Sequence, residues 1–337
     1  MQNKLMIIAL LLLAMLTSTW AGDVNRIGTA SGSQLLIPIG ARSIGMGNAP
    51  VASIGGTEAI FWNPAGMSAV KTAEVMFNNM QYLADIDVNY LATVYNGGLI
   101  GSFGFSIQSL DFGDIQETTE EMPDGTGRTY SPTYMVVGAS YSRLLTDRIS
   151  AGVTGKFIYE GIQQTSASSI ALDMGVQYTF GSNLSVGVVM KNIGTKMRFD
   201  GRDMERSFRL GNPTSDNGYY RAVSQESNIP SVFSFGLAYR YNVNEENHFN
   251  VNGTFSNYNE ASDQLYGGIE YSFKDFFYLR GGYAYEAQGD QDQLFGGAFG
   301  AGLTYPMGNM NVIFDYAYRQ ITDYFDANSI FTLKLSF

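Results

Sequence analysis

The sequence predicts an all-β protein, a transmembrane antiparallel β-barrel of about 14 strands with an N-terminal plug inside its lumen. Apolar and polar residues alternate strictly from about residue 72 to the C-terminus, and successive side chains of a strand point to opposite faces. Most of the alternating segments have 9–13 residues, close to the roughly 9–11 that cross a bilayer as a tilted strand. Their connections alternate between short and long, as is typical of outer-membrane barrels.

Composition agrees with this fold class. The 337 residues include 39 Gly, 22 Tyr and 22 Phe but no Cys, and charged residues make up 15%, against about 25% in an ordinary soluble domain. Glycine at this density disfavours helices. The absence of Cys excludes disulfides and Cys-based metal sites. A net charge of −11 argues against a nucleic-acid partner.

The chain divides into three parts. Residues 1–21 resemble a secretory signal peptide, because a positive Lys4 precedes a run of 12 apolar residues that is too short to span a bilayer. We expect cleavage after Ala21. Residues 22–71 are rich in Gly and Ala without alternation, and we expect them to form the plug. Residues 72–337 form the barrel.

Fourteen strands are expected in the barrel. The predicted spans are 72–79, 88–96, 99–110, 133–145, 149–161, 169–180, 184–194, 230–243, 247–257, 265–273, 276–286, 294–305, 309–320 and 328–337. Aromatic residues gather at both ends of the apolar face, as in the girdles of membrane barrels. We therefore expect this face to contact outer-membrane lipid. The terminal Phe337 resembles the signal that the barrel-assembly machinery reads in outer-membrane proteins.

The polar face of the strands carries nearly all of their charges, and a membrane barrel turns this face to its lumen. We expect these charges to form ion pairs across the interior and to hold the plug, with a polar conduction path as the alternative. The predicted lumen charges are Glu74, Lys156, Glu160, Asp173, Lys191, Arg240, Glu270, Arg280, Asp315, Arg319 and Lys334.

Two motifs in the N-terminal segment carry a resemblance to a known family. They are Gly40-Ala41-Arg42 with Gly45-Met46-Gly47, and Ile60-Phe61-Trp62-Asn63-Pro64-Ala65-Gly66. Together they resemble the PorV/PorQ family within the wider FadL-like group, in which Asn63, Pro64 and Ala65 would correspond to the hatch motif. The resemblance implies a fourteen-stranded outer-membrane barrel of a Gram-negative bacterium, plugged by its N-terminus.

The family implies two alternative functions. A PorV-like protein would bind or shuttle exported proteins for type IX secretion, with a secretion channel and secreted proteins bearing a C-terminal signal domain as partners. A FadL-like protein would passively transport hydrophobic molecules such as fatty acids. It would have a gap in the wall, for which the place where Gly101 and Gly104 weaken the third strand is a candidate, although glycine at both positions is also normal in a barrel. We expect no enzymatic activity, no catalytic residues and no cofactor, and we expect the single histidine, His248, to be structural.

Two long connections carry further candidate residues. The stretch 195–229 combines Arg with aromatic residues, which are favoured at interfaces, so it is a candidate partner-binding loop, or else it folds over the barrel mouth. Its candidate residues are Arg198, Arg202, Arg206, Phe208, Tyr219 and Tyr220. Acidic residues crowd the connection 111–132. Solvated charge is the expected interpretation there, a weak cation site the alternative, and we predict no metal centre.

Overall fold

A computed structural model describes residues 28–209, 217–286, 293–321 and 325–337. The predicted signal peptide and the first residues of the predicted plug, 22–27, lie outside these ranges. Fourteen long strands occupy the described part of the chain from residue 73 onward. They are β1 Ala73–Gln81, β2 Asp87–Asn96, β3 Ser102–Asp111, β4 Thr133–Thr146, β5 Ile149–Ile162, β6 Thr165–Phe180, β7 Leu184–Gly194, β8 Val232–Asn242, β9 Asn247–Tyr258, β10 Gln264–Phe273, β11 Phe277–Glu286, β12 Phe295–Met307, β13 Met310–Ile321 and β14 Asn328–Ser336.

These strands form one closed antiparallel barrel. Each strand pairs with the next along the chain, and β1 pairs with β14 to close the wall, with Phe77 opposite Leu333. The predicted fold class is therefore confirmed for the barrel. Among the residues that the structure describes, no helix is both long and apolar enough to cross a membrane.

The two faces of the wall follow the predicted alternation. In β14, Phe331 and Leu333 are exposed on the outside, whereas Thr332 and Lys334 are buried on the inside. In β9, Val251 is exposed and Asn252 is buried. An outer surface of large apolar side chains suits hydrocarbon rather than water, so the polar side of each strand faces the lumen.

Connections differ in length at the two ends of the barrel. The short ones, such as 97–101, 147–148 and 181–183, lie at one end, and the long ones lie at the other. The connection 163–164 is an exception, because it has only two residues at the end with the long connections. Two long connections contain hairpins of their own. Ile115–Gln116 pairs with Thr129–Tyr130, and Glu205–Arg209 pairs with Asn217–Arg221.

Residues 28–71, here called the inner segment, lie against the lumen face of the wall. The inner segment contains α1 Ala41–Gly45, α2 Ala59–Trp62 and 3-10 turns at Ser33–Leu36, Pro50–Ala52 and Pro64–Ala69. Helix α1 packs on β11 to β14, and the turn Pro64–Ala69 packs on β3 to β6. Nearly all side chains from Leu35 to Val70 are buried. That this segment acts as a plug remains a prediction.

Candidate functional site

Asn63 fixes the inner segment to the wall between β6 and β7. Its Oδ1 accepts a hydrogen bond from the Ala65 amide at 3.2 Å, and its Nδ2 donates to the carbonyls of Val51 at 3.2 Å and Val176 at 3.3 Å. A Cβ at Gly175 of β6 would lie 2.0 Å from Asn63 Oδ1. The wall therefore needs a glycine there to accept this amide.

Pro64 and Gly66 complete the same contact. Pro64 is the first residue of a 3-10 turn, where the N–H that proline lacks would have no partner. A Cβ at Gly152 of β5 would lie 2.5 Å from the Pro64 carbonyl carbon, and a Cβ at Gly66 would lie 2.2 Å from the carbonyl oxygen of Ile54. The motif residues Asn63, Pro64, Ala65 and Gly66 thus meet at one point, where backbone packs on backbone.

Gly45 and Gly47 place α1 against β11 and β12, on the side of the barrel opposite to the Asn63 contact. Gly47 has a φ of +63° and faces the Tyr283 amide of β11, which would lie 2.5 Å from a Cβ at Gly47. Gly45 faces Gly300 of β12, whose Cα would lie 3.2 Å from a Cβ at Gly45. Sequence reasoning selected these glycines but could not identify the facing strands.

Most lumen charges form buried ion pairs. Glu270 Oε2 lies 2.9 Å from Arg42 Nε of the inner segment and 2.7 Å from Arg280 Nε, and Arg280 Nη1 lies 2.6 Å from Asp315 Oδ1. The attraction of Glu270 raises the pKa of Arg42 above its ordinary value. This geometry favours interior pairing over a conduction path, since Arg42 and Arg280 are each compensated by a carboxylate.

Further pairs occur around this network. Lys334 Nζ lies 3.2 Å from Glu58 Oε1 of the inner segment, and Lys156 Nζ lies 2.5 Å from Asp173 Oδ2. Arg240 also lines the interior of the barrel. It is half exposed at the end of the barrel with the short turns, 3.9 Å from Asp275.

Two buried lumen cations stack on aromatic rings instead. Lys191 Nζ lies 3.8 Å from the ring centre of Phe61, and Arg319 Cζ lies 3.8 Å from that of Phe295. Arg319 Nε also donates to Asn328 Oδ1 at 3.0 Å. Sequence reasoning placed both cations in the lumen but missed their aromatic partners, although Phe61 stands inside the recognised motif.

Both cations line a cavity of about 220 Å³ on the side of the long connections. Its walls are mainly aromatic and polar side chains of the inner segment, the strands and the β1–β2 connection. They include Asn48, Phe61, Trp62, Tyr82, Lys191, Ser234, Ser256, Tyr258, Tyr266, Phe295 and Arg319. Burial raises the pKa of Tyr82 above its ordinary value.

A larger cavity of about 570 Å³ opens on the side of the short turns. Its lining includes the ion-paired Arg42, Glu270 and Arg280, and Phe337 at the C-terminus. The inner segment contributes residues to the lining of both cavities. The amide of Phe337 donates to the carbonyl of Ala73 at 2.9 Å, while its role as an assembly signal remains a prediction.

The connection between β7 and β8 has one part that folds over the barrel mouth and another part that is exposed. Its base folds over the barrel mouth, because Met197 and Ile229 are buried in a cluster with Leu35 of the inner segment. Its hairpin is exposed, with Tyr219 at 71% and Tyr220 at 54%.

The remaining candidate residues of this connection lie around the hairpin. Arg198, Arg202 and Arg206 are exposed. Phe208 pairs with Gly218 through its backbone, and its side chain lies outside the described part. Arg221 Nη1 lies 3.2 Å from Asp200 Oδ1 and Arg221 Nη2 lies 2.5 Å from Glu205 Oε1, so ion pairs brace the hairpin.

The wall gap expected at Gly101 and Gly104 is wrong. Strand β3 pairs with β2 from Ser102 to Asp111 and with β4 from Ser102 to Leu110. A Cβ at Gly104 would lie 2.8 Å from Met67 Cε. This glycine therefore makes room for the inner segment and does not open the wall.

The acidic connection 111–132 is held by its own contacts. Glu117 accepts hydrogen bonds from Thr126 at 2.9 Å and from Arg128 at 2.7 Å. Over the described ranges, no group of three or more His, Asp or Glu side chains is placed to hold a metal ion. His248 is buried beside the short turn that follows β10, 3.8 Å from Asp275.

Comparison with known proteins places this barrel among related folds. A search of curated proteins gave no match. Among solved structures, the monoaromatic hydrocarbon channel CymD is 11% identical with a TM-score of 0.52, over 90% of this chain and 98% of CymD. The toluene transporter TodX of Pseudomonas putida and a FadL homologue of Pseudomonas aeruginosa are each 12% identical with a TM-score of 0.51, over 88% of this chain and 97% of theirs. At such identities the likeness shows the fold alone.

The family model described as type IX secretion system protein PorV matches residues 21–259. The match covers the inner segment, both of its motifs and the exposed hairpin. The resemblance predicted from the motifs is thereby confirmed: this outer-membrane β-barrel belongs to the PorV family.

Proposed function

We propose that this protein is a component of type IX secretion that binds or shuttles exported proteins at the outer membrane of a Gram-negative bacterium. The family match over residues 21–259 is the observation that carries the proposal. The proposed partners are a secretion channel and exported proteins with a C-terminal signal domain. We propose no catalytic role.

The filled lumen supports a binding role over a conducting one. The inner segment contacts two opposite parts of the barrel wall. The side-chain amide of Asn63 bonds to one, and the backbone at Gly47 packs on the other. Ion pairs such as Arg42 with Glu270 add to these contacts. A folded exported protein could not pass such an interior, so a partner would bind at the surface.

The exposed hairpin, Glu205–Arg209 with Asn217–Arg221, is the proposed contact surface. Tyr219 and Tyr220 present large aromatic side chains to solvent above the barrel mouth. Tyrosine and arginine are the residues most favoured at the centre of protein interfaces. The ion pairs of Arg221 order the hairpin before a partner arrives, which lowers the entropy cost of binding.

Cysteine crosslinking tests this proposal directly, because the chain contains no cysteine. Tyr220→Cys would carry a thiol-reactive photocrosslinker in cells that secrete proteins. Ser182→Cys, exposed in a short turn at the other end of the barrel, is the matched control. We expect Tyr220→Cys to crosslink to exported proteins or a secretion channel, and Ser182→Cys not to crosslink to exported proteins. Equal labelling from both positions, or none from Tyr220→Cys, would contradict the proposal.

Passive transport of small hydrophobic molecules is the second candidate function. The cavity of about 220 Å³ with its aromatic lining is the observation that favours it. Lipid vesicles containing the purified barrel should then take up toluene faster than empty vesicles. Equal uptake by both would exclude this function.

A further inference from the structure

We infer that the cavity of about 220 Å³ is a binding site for a compact organic anion, of the size of a single-ring carboxylate. The inference goes beyond the proposed role in secretion. It concerns binding alone, so it does not require the barrel to transport the ligand.

Uncompensated positive charge is the first argument. Arg319 and Lys191 line the cavity with only 3% and 8% of their surfaces exposed. Among the described residues that line it, none is Asp or Glu. The nearby Asp173 is already paired with Lys156 at 2.5 Å. Buried cations without a carboxylate are costly, and a guanidinium stays charged at any physiological pH, so an anionic ligand would be favoured here.

The aromatic side chains that line the cavity favour a ligand whose uncharged part is apolar. Phe61 and Trp62 come from the inner segment, while Tyr82 and Phe295 lie near the extracellular ends of β1 and β12. Tyr82 and Phe295 stack with ring centres 6.3 Å apart. Flat apolar surfaces of this kind accept a ring or a short apolar group. The ligand therefore combines one charged group with an apolar body.

Volume limits the size of that body. A dry cavity of about 150 Å³ is enough to hold benzene, so about 220 Å³ accommodates one ring and a carboxylate. A long acyl chain would not fit. The Arg319 guanidinium likewise distinguishes the preferred ligand from a neutral hydrocarbon, which would leave this charge uncompensated.

One buried acceptor adds a further feature. Asn48 lines the cavity, and its buried Oδ1 has no hydrogen-bond partner. The hydroxyl groups of Tyr258 and Tyr266 bond to each other at 2.7 Å, and those of Ser234 and Ser256 do the same at 2.7 Å. A ligand with a hydroxyl group could donate to Asn48, so we expect hydroxylated ring carboxylates to bind at least as well as benzoate.

Trp62 provides a reporter inside the site. The chain has two tryptophans, Trp20 and Trp62, and cleavage after Ala21 would leave Trp62 alone. Titration of the detergent-purified mature barrel with benzoate should change the fluorescence of Trp62 saturably. Benzyl alcohol and benzylamine are the neutral and cationic controls. We expect benzoate to bind about tenfold more tightly than benzyl alcohol, as a charged hydrogen bond in a buried site would give.

Variants locate the binding and exclude a folding artefact. Arg319→Gln and Lys191→Gln should each weaken benzoate binding about tenfold while leaving benzyl alcohol binding unchanged, which shows that the cavity is intact. Arg319→Lys should retain most of the preference for the anion. Lys71→Gln, exposed at the other end of the barrel, should bind benzoate normally.

Two results would overturn the inference. One is benzoate binding no tighter than that of benzyl alcohol, and the other is wild-type benzoate affinity in both Gln variants. Uptake into vesicles is measured separately, so a failure of the transport function leaves the binding result interpretable.

Discussion

The contact between the inner segment and β11 gives the sharpest test of the fold. Gly282 faces the lumen, and a Cβ on it would lie 2.1 Å from the carbonyl carbon of Met46 and 2.2 Å from the Gly47 amide nitrogen. Gly281, its neighbour in the same strand, faces outward, and a Cβ there meets only Phe299 Cδ1 at 3.9 Å. Comparing alanine substitutions at Gly282 and Gly281 therefore separates the effect of packing in the lumen from the general effect of replacing a glycine in this strand.

The magnitude follows from how little the contacted atoms can move. Both Met46 and Gly47 contribute backbone atoms, which would have to shift by about 1.5 Å to reach ordinary contact distance. Arg42, in the helix α1 that directly precedes Met46, is held by Glu270, so α1 cannot move without straining a buried ion pair. Overpacking of this kind costs about 1–3 kcal/mol, whereas a substitution outside such contacts changes stability by less than about 0.5 kcal/mol.

Denaturant unfolding in lipid vesicles measures the effect. We expect Gly282→Ala to lower the free energy of unfolding by about 1–3 kcal/mol and Gly281→Ala to leave it unchanged. Ion conductance across a planar bilayer is the second measurement, because a displaced inner segment should leak. Equal stability and equal conductance of the two variants would refute the placement of Met46 and Gly47 against this wall.

Three further predictions follow from buried polar contacts and the C-terminus. Asn63→Ala leaves the Ala65 amide without its acceptor and should lower the free energy of unfolding by about 1–3 kcal/mol. Asn79→Ala, on the outer face, is the control. An equal loss of stability in both variants would contradict the role of Asn63 in holding the inner segment. Glu270→Gln leaves Arg42 without a carboxylate and removes one of the two carboxylates that pair with Arg280. It should cost about 3–5 kcal/mol in the same assay, and unchanged stability would show that pairing with Glu270 does not hold these cations. Deletion of Phe337 should lower the fraction of barrel assembled in outer membranes, measured by heat-modifiable gel mobility, and unimpaired assembly would rule out the signal.

The strands of the barrel could be predicted from sequence because their pattern is local. The alternation of β9 and β14 depends only on which residues follow one another, and lipid on one side with a polar lumen on the other enforces it along each strand. The ends of the strands could not be predicted as closely as their middles. The predicted span 169–180 begins at Thr165 in the structure, since polar serines near the start of β6 lack the apolar alternation of its middle.

Contacts in the lumen could not be predicted, because they join residues far apart in the chain. Arg42 and Glu270 are 228 positions apart, and no local pattern assigns one to the other. Lys191 illustrates the same limit. Like Lys156, it lies on the polar face of an alternating strand. Lys156 nevertheless pairs with a carboxylate, whereas Lys191 contacts the ring of Phe61. Only the closed wall and the path of the inner segment decide which neighbour each cation receives.

The two cavities differ in charge balance, and this difference bears on function. On the side of the short turns, Arg280 and Lys334 are compensated by Asp315, Glu270 and Glu58, so this interior is stable without a ligand. On the side of the long connections, Arg319 and Lys191 face aromatic rings, and Arg319 also donates to Asn328, but neither cation has a carboxylate partner among the residues that the structure describes. Passage between the cavities would require breaking the ion pairs that hold the inner segment, whereas binding from outside requires none of this. The barrel is therefore better suited to hold a small anion at its outer mouth than to conduct one.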